Sequence, residues 1–217
     1  AGRLPAPGGG SAAAFVGADI VRAPLRESEG FRLTPETVRR LLGPRTRLLI
    51  VNSPHNPTGS VMTREHVEGM ARLAEEHDVY LLSDEVYHHV AYGAEPPASP
   101  AVADGCRERT IILNSFSKSH AMSGWRLGYA IGPQPVIEKM GLLVQTILSC
   151  LPPFIQCGGL AALDERSTED VHAMVAQLRR RRTVVVQGLA SLPGVSCLVP
   201  DGAFYAFPNI EKTGLTD

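Results

Sequence analysis

Residues 48–87 read LLIVNSPHNPTGSVMTREHVEGMARLAEEHDVYLLSDEVY, and the order of patterns within them decides the fold. Leu48-Leu49-Ile50-Val51 is a continuous apolar run of strand length, as expected of a strand covered on both faces. From about Thr63 to Glu76 the period changes to that of a helix, with Val67, Met70, Ala71 and Ala74 at i, i+3, i+4 and i+7. Val79 to Leu82 is a second buried strand, and the polar Ser83-Asp84-Glu85 follows it. Strand, helix, strand in this sequence implies an α/β fold: a mainly parallel sheet with crossover helices on both faces.

Outward from this stretch the pattern continues. Thr110 to Leu113 and Leu127 to Ile131 read as further short strands, and Ala18 to Leu25 as one upstream. Thr34-Pro35-Glu36 opens a helix, with Thr as N-cap, Pro at the first helical position and Glu in the positive first turn; Gly43-Pro44 ends it. From Pro133 the chain turns helical, over roughly Val136–Ser149, Phe154–Leu163 and Thr168–Leu192. Val195 to Val199 and Ala203 to Phe207 then read as the first two strands of a second, smaller α+β domain. Residues 1–15, with their Pro-Gly-Gly-Gly-Ser run, read as a linker or a cut edge. The expected division is 1–15, a large domain over 16–170, and a linking helix with the start of a small domain over 171–217.

Composition is that of an ordinary globular protein, 44% hydrophobic and 20% charged, with a formal net charge of −1. No global field favours nucleic acid or an anionic membrane. Leu142 to Ile155, the most apolar later stretch, is broken by Pro152-Pro153 and is too short to span a bilayer. The basic run Arg179 to Arg182 sits on the long helix, where four consecutive residues point all round the axis. A solvated surface or an interface is its expected role, and the protein is expected to be soluble and cytoplasmic, with buried thiols at its four cysteines. No metal is expected: Cys106, Cys150, Cys157 and Cys197 lack ligand spacing, and His88-His89 has no spaced partners.

In parallel sheets ligands sit beyond the carboxyl ends of the strands. Three polar clusters follow strands here, Asn52 to Gly59, Ser83 to Tyr87 and Asn114 to Lys118, and should converge on one rim. Of 21 basic residues only three are lysines (Lys118, Lys139 and Lys212), which singles out a lysine in such a place. Each cluster alone has an ordinary reading. Asp84 would serve as a strand-end cap, Asn56-Pro57-Thr58-Gly59 as a turn, and Arg126 as a surface ion-pair partner.

Together they carry more. Ser115-Phe116-Ser117-Lys118 followed by Gly124-Trp125-Arg126-Leu127-Gly128-Tyr129, with Asn56-Pro57-Thr58-Gly59 and Asp84-Glu85-Val86-Tyr87 upstream, resembles the cofactor signature of class I aminotransferases. These belong to the fold-type I superfamily of pyridoxal 5'-phosphate (PLP) dependent transferases. The spacings agree: 28 residues from Asn56 to Asp84, 34 to Lys118 and 8 to Arg126. Met122 to Arg126 resembles the branch that includes prokaryotic-type aspartate aminotransferases.

The resemblance implies that Lys118 carries PLP as a Schiff base and shuttles the proton, and that Asp84 pairs with the pyridine nitrogen. It implies that Tyr87 and Asn56 bond the phenolic oxygen, and that Ser115, Ser117 and Arg126 contact the phosphate. It implies ping-pong transfer of an amino group between an amino acid and a 2-oxo acid, in a homodimer. His55 and His120 lie near the signature without an assigned role. Family members are considerably longer, so the chain is expected to be an internal piece, inactive by itself, lacking an upstream phosphate loop and a downstream carboxylate-binding arginine. A β-lyase or decarboxylase of the same fold would use the same cofactor residues. A non-catalytic PLP-binding regulatory module remains a further alternative, although residues 1–44 show no winged helix-turn-helix.

Overall fold

The computed structural model describes residues 9–215. Its centre is a four-stranded sheet in the order β1 (Leu48–Asn52), β2 (Tyr80–Asp84), β3 (Thr110–Ser115) and β4 (Gly128–Ile131). The first three strands run parallel, with Asn52 opposite Asp84 and Asp84 opposite Leu113. The fourth runs antiparallel to β3, with Ser115 opposite Gly128. The mainly parallel sheet is as expected.

Helix α3 (Arg64–Glu76) forms where the period indicates, and Thr63 caps it by accepting from the His66 N–H at 3.2 Å. Its Val67, Met70, Leu73 and Ala74 pack with Val51 and Leu81 of the sheet and Val38 of α2 (Pro35–Arg39) into the main core. Met70, Leu73 and Leu81 are fully buried, each contributing on the order of 2 kcal/mol by leaving water. Thr34 caps α2 as expected, accepting from the Thr37 N–H. The opposite face of the sheet carries Leu48, Ile50 and Tyr80, 41–43% exposed.

After β2 come the single-turn α4 (Ala101–Asp104) and, directly after β3, the single-turn α5 (Phe116–Ser119). Beyond β4 the chain forms α6 (Gln134–Leu148), α7 (Pro153–Ala162) and the long α8 (Arg166–Ala190), each within a few residues of expectation. Helix α6 buries none of its residues, and Leu142, Leu143, Ile147 and Leu148 stand exposed on it. Among the described residues no helix is long and apolar enough to cross a membrane.

Three expectations need correction. Ala18 to Leu25 is not a strand: it joins no sheet among the described residues, Ile20 and Val21 are exposed, and Pro24 brings no backbone donor to a ladder. Residues 1–8 of the expected linker lie outside the described residues, but Gly9–Phe15 forms a short helix, α1, because the Ala12-Ala13-Ala14 run outweighs the glycines before it. The two expected C-terminal strands shrink to a two-residue ladder between β5 (Ser196–Cys197) and β6 (Pro208–Asn209). Ala203 to Phe207 is not a strand, since its backbone groups and rings turn instead toward the rim of the large sheet.

Candidate functional site

The three polar clusters meet at the carboxyl ends of β1, β2 and β3, where the right-handed parallel crossovers must deliver them. Asn52, the last residue of β1, ties two of them together. Its side-chain NH2 donates to the Asp84 carbonyl at 3.0 Å, and its Oδ1 accepts from the Asn56 N–H at 2.8 Å. The loop after β1 closes on itself, with the Gly59 N–H bonded to the His55 carbonyl and His55 Nδ1 2.9 Å from the Thr58 hydroxyl. Both X-Pro bonds in it, Ser53-Pro54 and Asn56-Pro57, are cis. Burial pushes the His55 pKa down to about 4, so the ring is neutral and belongs to the architecture of the turn.

Asp84 is partly buried, and burial raises its pKa against one compensating bond from the Val86 N–H at 3.2 Å. Among the described residues no lysine, arginine or histidine lies within 4 Å of its carboxylate. Burial thus disfavours its charge, and among the described residues the Val86 N–H is the one hydrogen-bond donor to its carboxyl group. Its neighbour Glu85 is buried more deeply but is satisfied by the hydroxyls of Ser99 at 2.6 Å and Ser83 at 3.1 Å. His88 Nδ1 stands 3.5 Å from Glu85; burial lowers the pKa of the imidazole and raises that of the carboxyl, each away from its charged form.

Tyr87 is 4% exposed, and its hydroxyl meets that of Tyr205 at 2.5 Å. Phe204 packs edge-on against the Tyr87 ring at 5.3 Å, and Lys118 Nζ lies 5.4 Å from the centre of the Phe204 ring. Lysine, phenol and carboxylate are thus drawn to one rim, with Phe204 between Lys118 and Tyr87.

Ser115 ends β3 and caps α5, accepting from the Ser117 N–H at 3.1 Å. Its hydroxyl is also within bonding distance of the Leu127 carbonyl (3.0 Å) and the Ser117 hydroxyl (2.9 Å). One hydroxyl has one proton, so Ser115 donates either to the Leu127 carbonyl or to the Ser117 hydroxyl, not to both at once. Gly128 is required beside this knot: a Cβ there would stand 2.9 Å from the Asn114 carbonyl oxygen. Arg126, held at a positive φ of 53°, is exposed and donates to the Ser123 carbonyl at 2.9 Å. Its side chain is therefore turned back on its own loop, although its chain neighbour Leu127 is anchored to Ser115. His120 bonds to Ser119 at 2.8 Å and faces Phe116 and His89. Among the described residues no group of histidine, cysteine or carboxylate side chains is arranged to hold a metal.

Two residues of this rim, Phe204 and Tyr205, escaped the sequence reading, and Asn52, which heads the first polar cluster, was given no role of its own. Asn52 had the signal of a polar residue ending an apolar strand. The aromatic pair had only an apolar run, which reads as a strand.

Arg179 and Arg182 explain how the late segment is held. Arg179 donates to the Tyr92 carbonyl at 2.7 Å and Arg182 to the Pro200 carbonyl at 2.8 Å, with both guanidinium groups over the Tyr92 ring. Arg179 and Arg182 thus serve an interface, one of the two roles expected of the basic run, because i and i+3 share a helix face. Asp201 and Gly202 complete the attachment by donating to the Gly59 carbonyl, each at 2.9 Å.

The carboxyl rim of a mainly parallel α/β sheet thus gathers an amine, Lys118, a carboxyl group without a cationic partner among the described residues, Asp84, and a buried phenol, Tyr87. The sequence profile described as aminotransferase class I and II matches residues 11–216, and the chain belongs to that family. It is 38% identical to an aspartate aminotransferase of Musicola paradisiaca over 207 residues, 94% of this chain and 51% of that protein. It is 42% identical to aromatic-amino-acid aminotransferase 2 of Thermococcus litoralis, covering 93% of this chain and 52% of that one. Among solved structures, an aromatic aminotransferase from Pyrococcus horikoshii superposes with a TM-score of 0.85 at 42% identity, over 90% of this chain and 52% of that one. The aspartate aminotransferase of Thermus thermophilus with maleate gives 0.82 at 40% identity, over 90% and 50%. The chain spans about half the length of the curated relatives it matches.

Proposed function

We propose that this chain supplies the PLP-binding rim of an aminotransferase that moves an amino group between an amino acid and a 2-oxo acid. The observation that carries the reading is Asp84: a partly buried carboxylate with no cationic partner among the described residues, on the same rim as Lys118 and Tyr87. That donor set fits PLP. Bound, the cofactor supplies an aldehyde that links to an amine and a ring that accepts electrons.

Lys118 Nζ is the amine that links to it and, once displaced, the base that carries a proton. Asp84 holds the ring nitrogen in its cationic form, which compensates the burial of its own charge. Tyr87 and Asn56 hold the ring oxygen. Ser115, Ser117 and Arg126 hold the phosphate, for which Arg126 must leave the Ser123 carbonyl. The exposed leucines of α6 support assembly with a second copy. Relatives named for aspartate, aromatic amino acids and arginine with pyruvate leave the amino donor open within the class.

The test is to add PLP to the chain, reduce with borohydride and map the labelled peptide. The label is expected on Lys118. A label on Lys139 or Lys212 overturns the assignment.

A further inference from the structure

The contact between Tyr87 and Tyr205 joins residues 118 apart in the chain, at 2.5 Å between hydroxyl oxygens. It is not a loose encounter. The Ala203 N–H donates to the Val90 carbonyl at 2.8 Å, and the Tyr92 hydroxyl donates to the Ala203 carbonyl at 2.6 Å. The two phenol rings meet edge to face at 5.6 Å, and Phe204 packs on both. The segment carrying Tyr205 is thereby fixed to the loop that carries Tyr87.

A phenol has one proton to give and lone pairs to accept with. Two phenols facing each other at this distance share one hydrogen bond, and its direction decides what is left for a ligand. If Tyr87 donates to Tyr205, its proton is spent inside the pair. If Tyr205 donates to Tyr87, the Tyr87 proton is free for an acceptor on the rim. Either hydroxyl can be the donor across this contact; burial, the contact with Tyr205 and the nearby Asp84 charge displace the Tyr87 pKa upward, which keeps the proton on its phenol.

We propose that Tyr205 is a positioning residue: its hydroxyl accepts from Tyr87 in the absence of ligand, and donates to Tyr87 Oη when Tyr87 turns its proton to a ligand oxygen. The exchange needs two hydroxyl rotations, and no covalent bond forms or breaks. Donation from Tyr205 polarises Tyr87 and makes it the better donor, because hydrogen bonds in a chain strengthen one another. The inference rests on the PLP reading, in which the acceptor is the phenolic oxygen of the cofactor ring.

Tyr205→Phe removes one oxygen and keeps the edge-to-face contact with Tyr87 and the tilted contact with Phe204. The 217-residue chain, this variant, Tyr87→Phe and the double variant are titrated with PLP and with 3-deoxypyridoxal 5'-phosphate, which lacks the phenolic oxygen. Thermal melts confirm that all four fold. Tyr205→Phe is expected to weaken PLP about fivefold, the scale of one hydrogen bond, and to leave the deoxy analogue unchanged within about twofold. In the Tyr87→Phe background it is expected to add nothing. Equal loss for both probes, no loss for PLP, or full additivity with Tyr87→Phe overturns the proposal. A parent chain that binds both probes beside a silent Tyr205→Phe overturns this inference alone. A parent chain that binds neither overturns the cofactor reading, and this inference with it.

Discussion

Gly59→Ala tests whether the late segment holds the rim together. Gly59 has a φ of +70°, a region in which an L-residue is disfavoured by roughly 1–2 kcal/mol. A Cβ there would also stand 2.5 Å from Pro200 Cβ and 3.0 Å from the Gly202 carbonyl oxygen. Both neighbours belong to a tethered segment: Asp201 and Gly202 donate to the Gly59 carbonyl, and Arg182 holds the Pro200 carbonyl. Relief by a small side-chain rotation is therefore closed, and overpacking of this kind costs about 1–3 kcal/mol. Together the two effects come to about 3 kcal/mol. In a chain of this size that corresponds to a fall in Tm of about 6–12 °C. The assay is thermal unfolding followed by circular dichroism, with Gly141→Ala as the comparison. Gly141 lies inside α6 with open space around its Cβ position, so alanine there should leave Tm unchanged or raise it slightly. A Gly59→Ala chain melting within about 2 °C of the parent would refute the close approach of the two segments, since strain alone accounts for more than that.

Asp84→Asn keeps the shape of the side chain and removes a charge that burial disfavours, so the ligand-free chain should melt no lower than the parent. PLP affinity should fall at least about tenfold, the scale of a lost charge-assisted bond, and unchanged binding in a PLP titration would dismiss the pairing. His55 gives a pH signature. Its folded pKa of about 4 lies below the unfolded 6.5, so the unfolded chain takes up the extra proton and stability is lost as pH falls through that window. By pH 4.5 the loss from this group is about 2.5 kcal/mol. Urea unfolding at pH 7 and 4.5 should show a steeper decline for the parent than for His55→Asn, and parallel declines would refute the burial of a neutral ring.

What could be read from the sequence was the part of the molecule whose interactions are local or repeat with a fixed period. The strands β1 to β3 announce themselves because parallel strands in a core must be apolar throughout, and α3 because its cap and its apolar stripe agree. Once three parallel strands are in place, their carboxyl ends share one rim, which is why Asn56, Asp84 and Lys118 could be brought together before any coordinates. The misreading of Ala203 to Phe207 has a long-range origin. An apolar run such as Ala203-Phe204-Tyr205-Ala206-Phe207 says that side chains prefer burial, and says nothing of the surface that will bury them. That surface is Tyr87 and Tyr92, more than a hundred residues earlier, and contact with it displaces the expected strand. Which arginines of the basic run would meet an interface was not legible for the same reason. A helix that presents charge all round has no preferred face until Tyr92 and the Pro200 carbonyl supply one. The rim is thus assembled at two levels. The parallel sheet sets which residues meet, and the long-range aromatic and arginine contacts set how firmly the loops bearing Asn56 and Tyr87 are held.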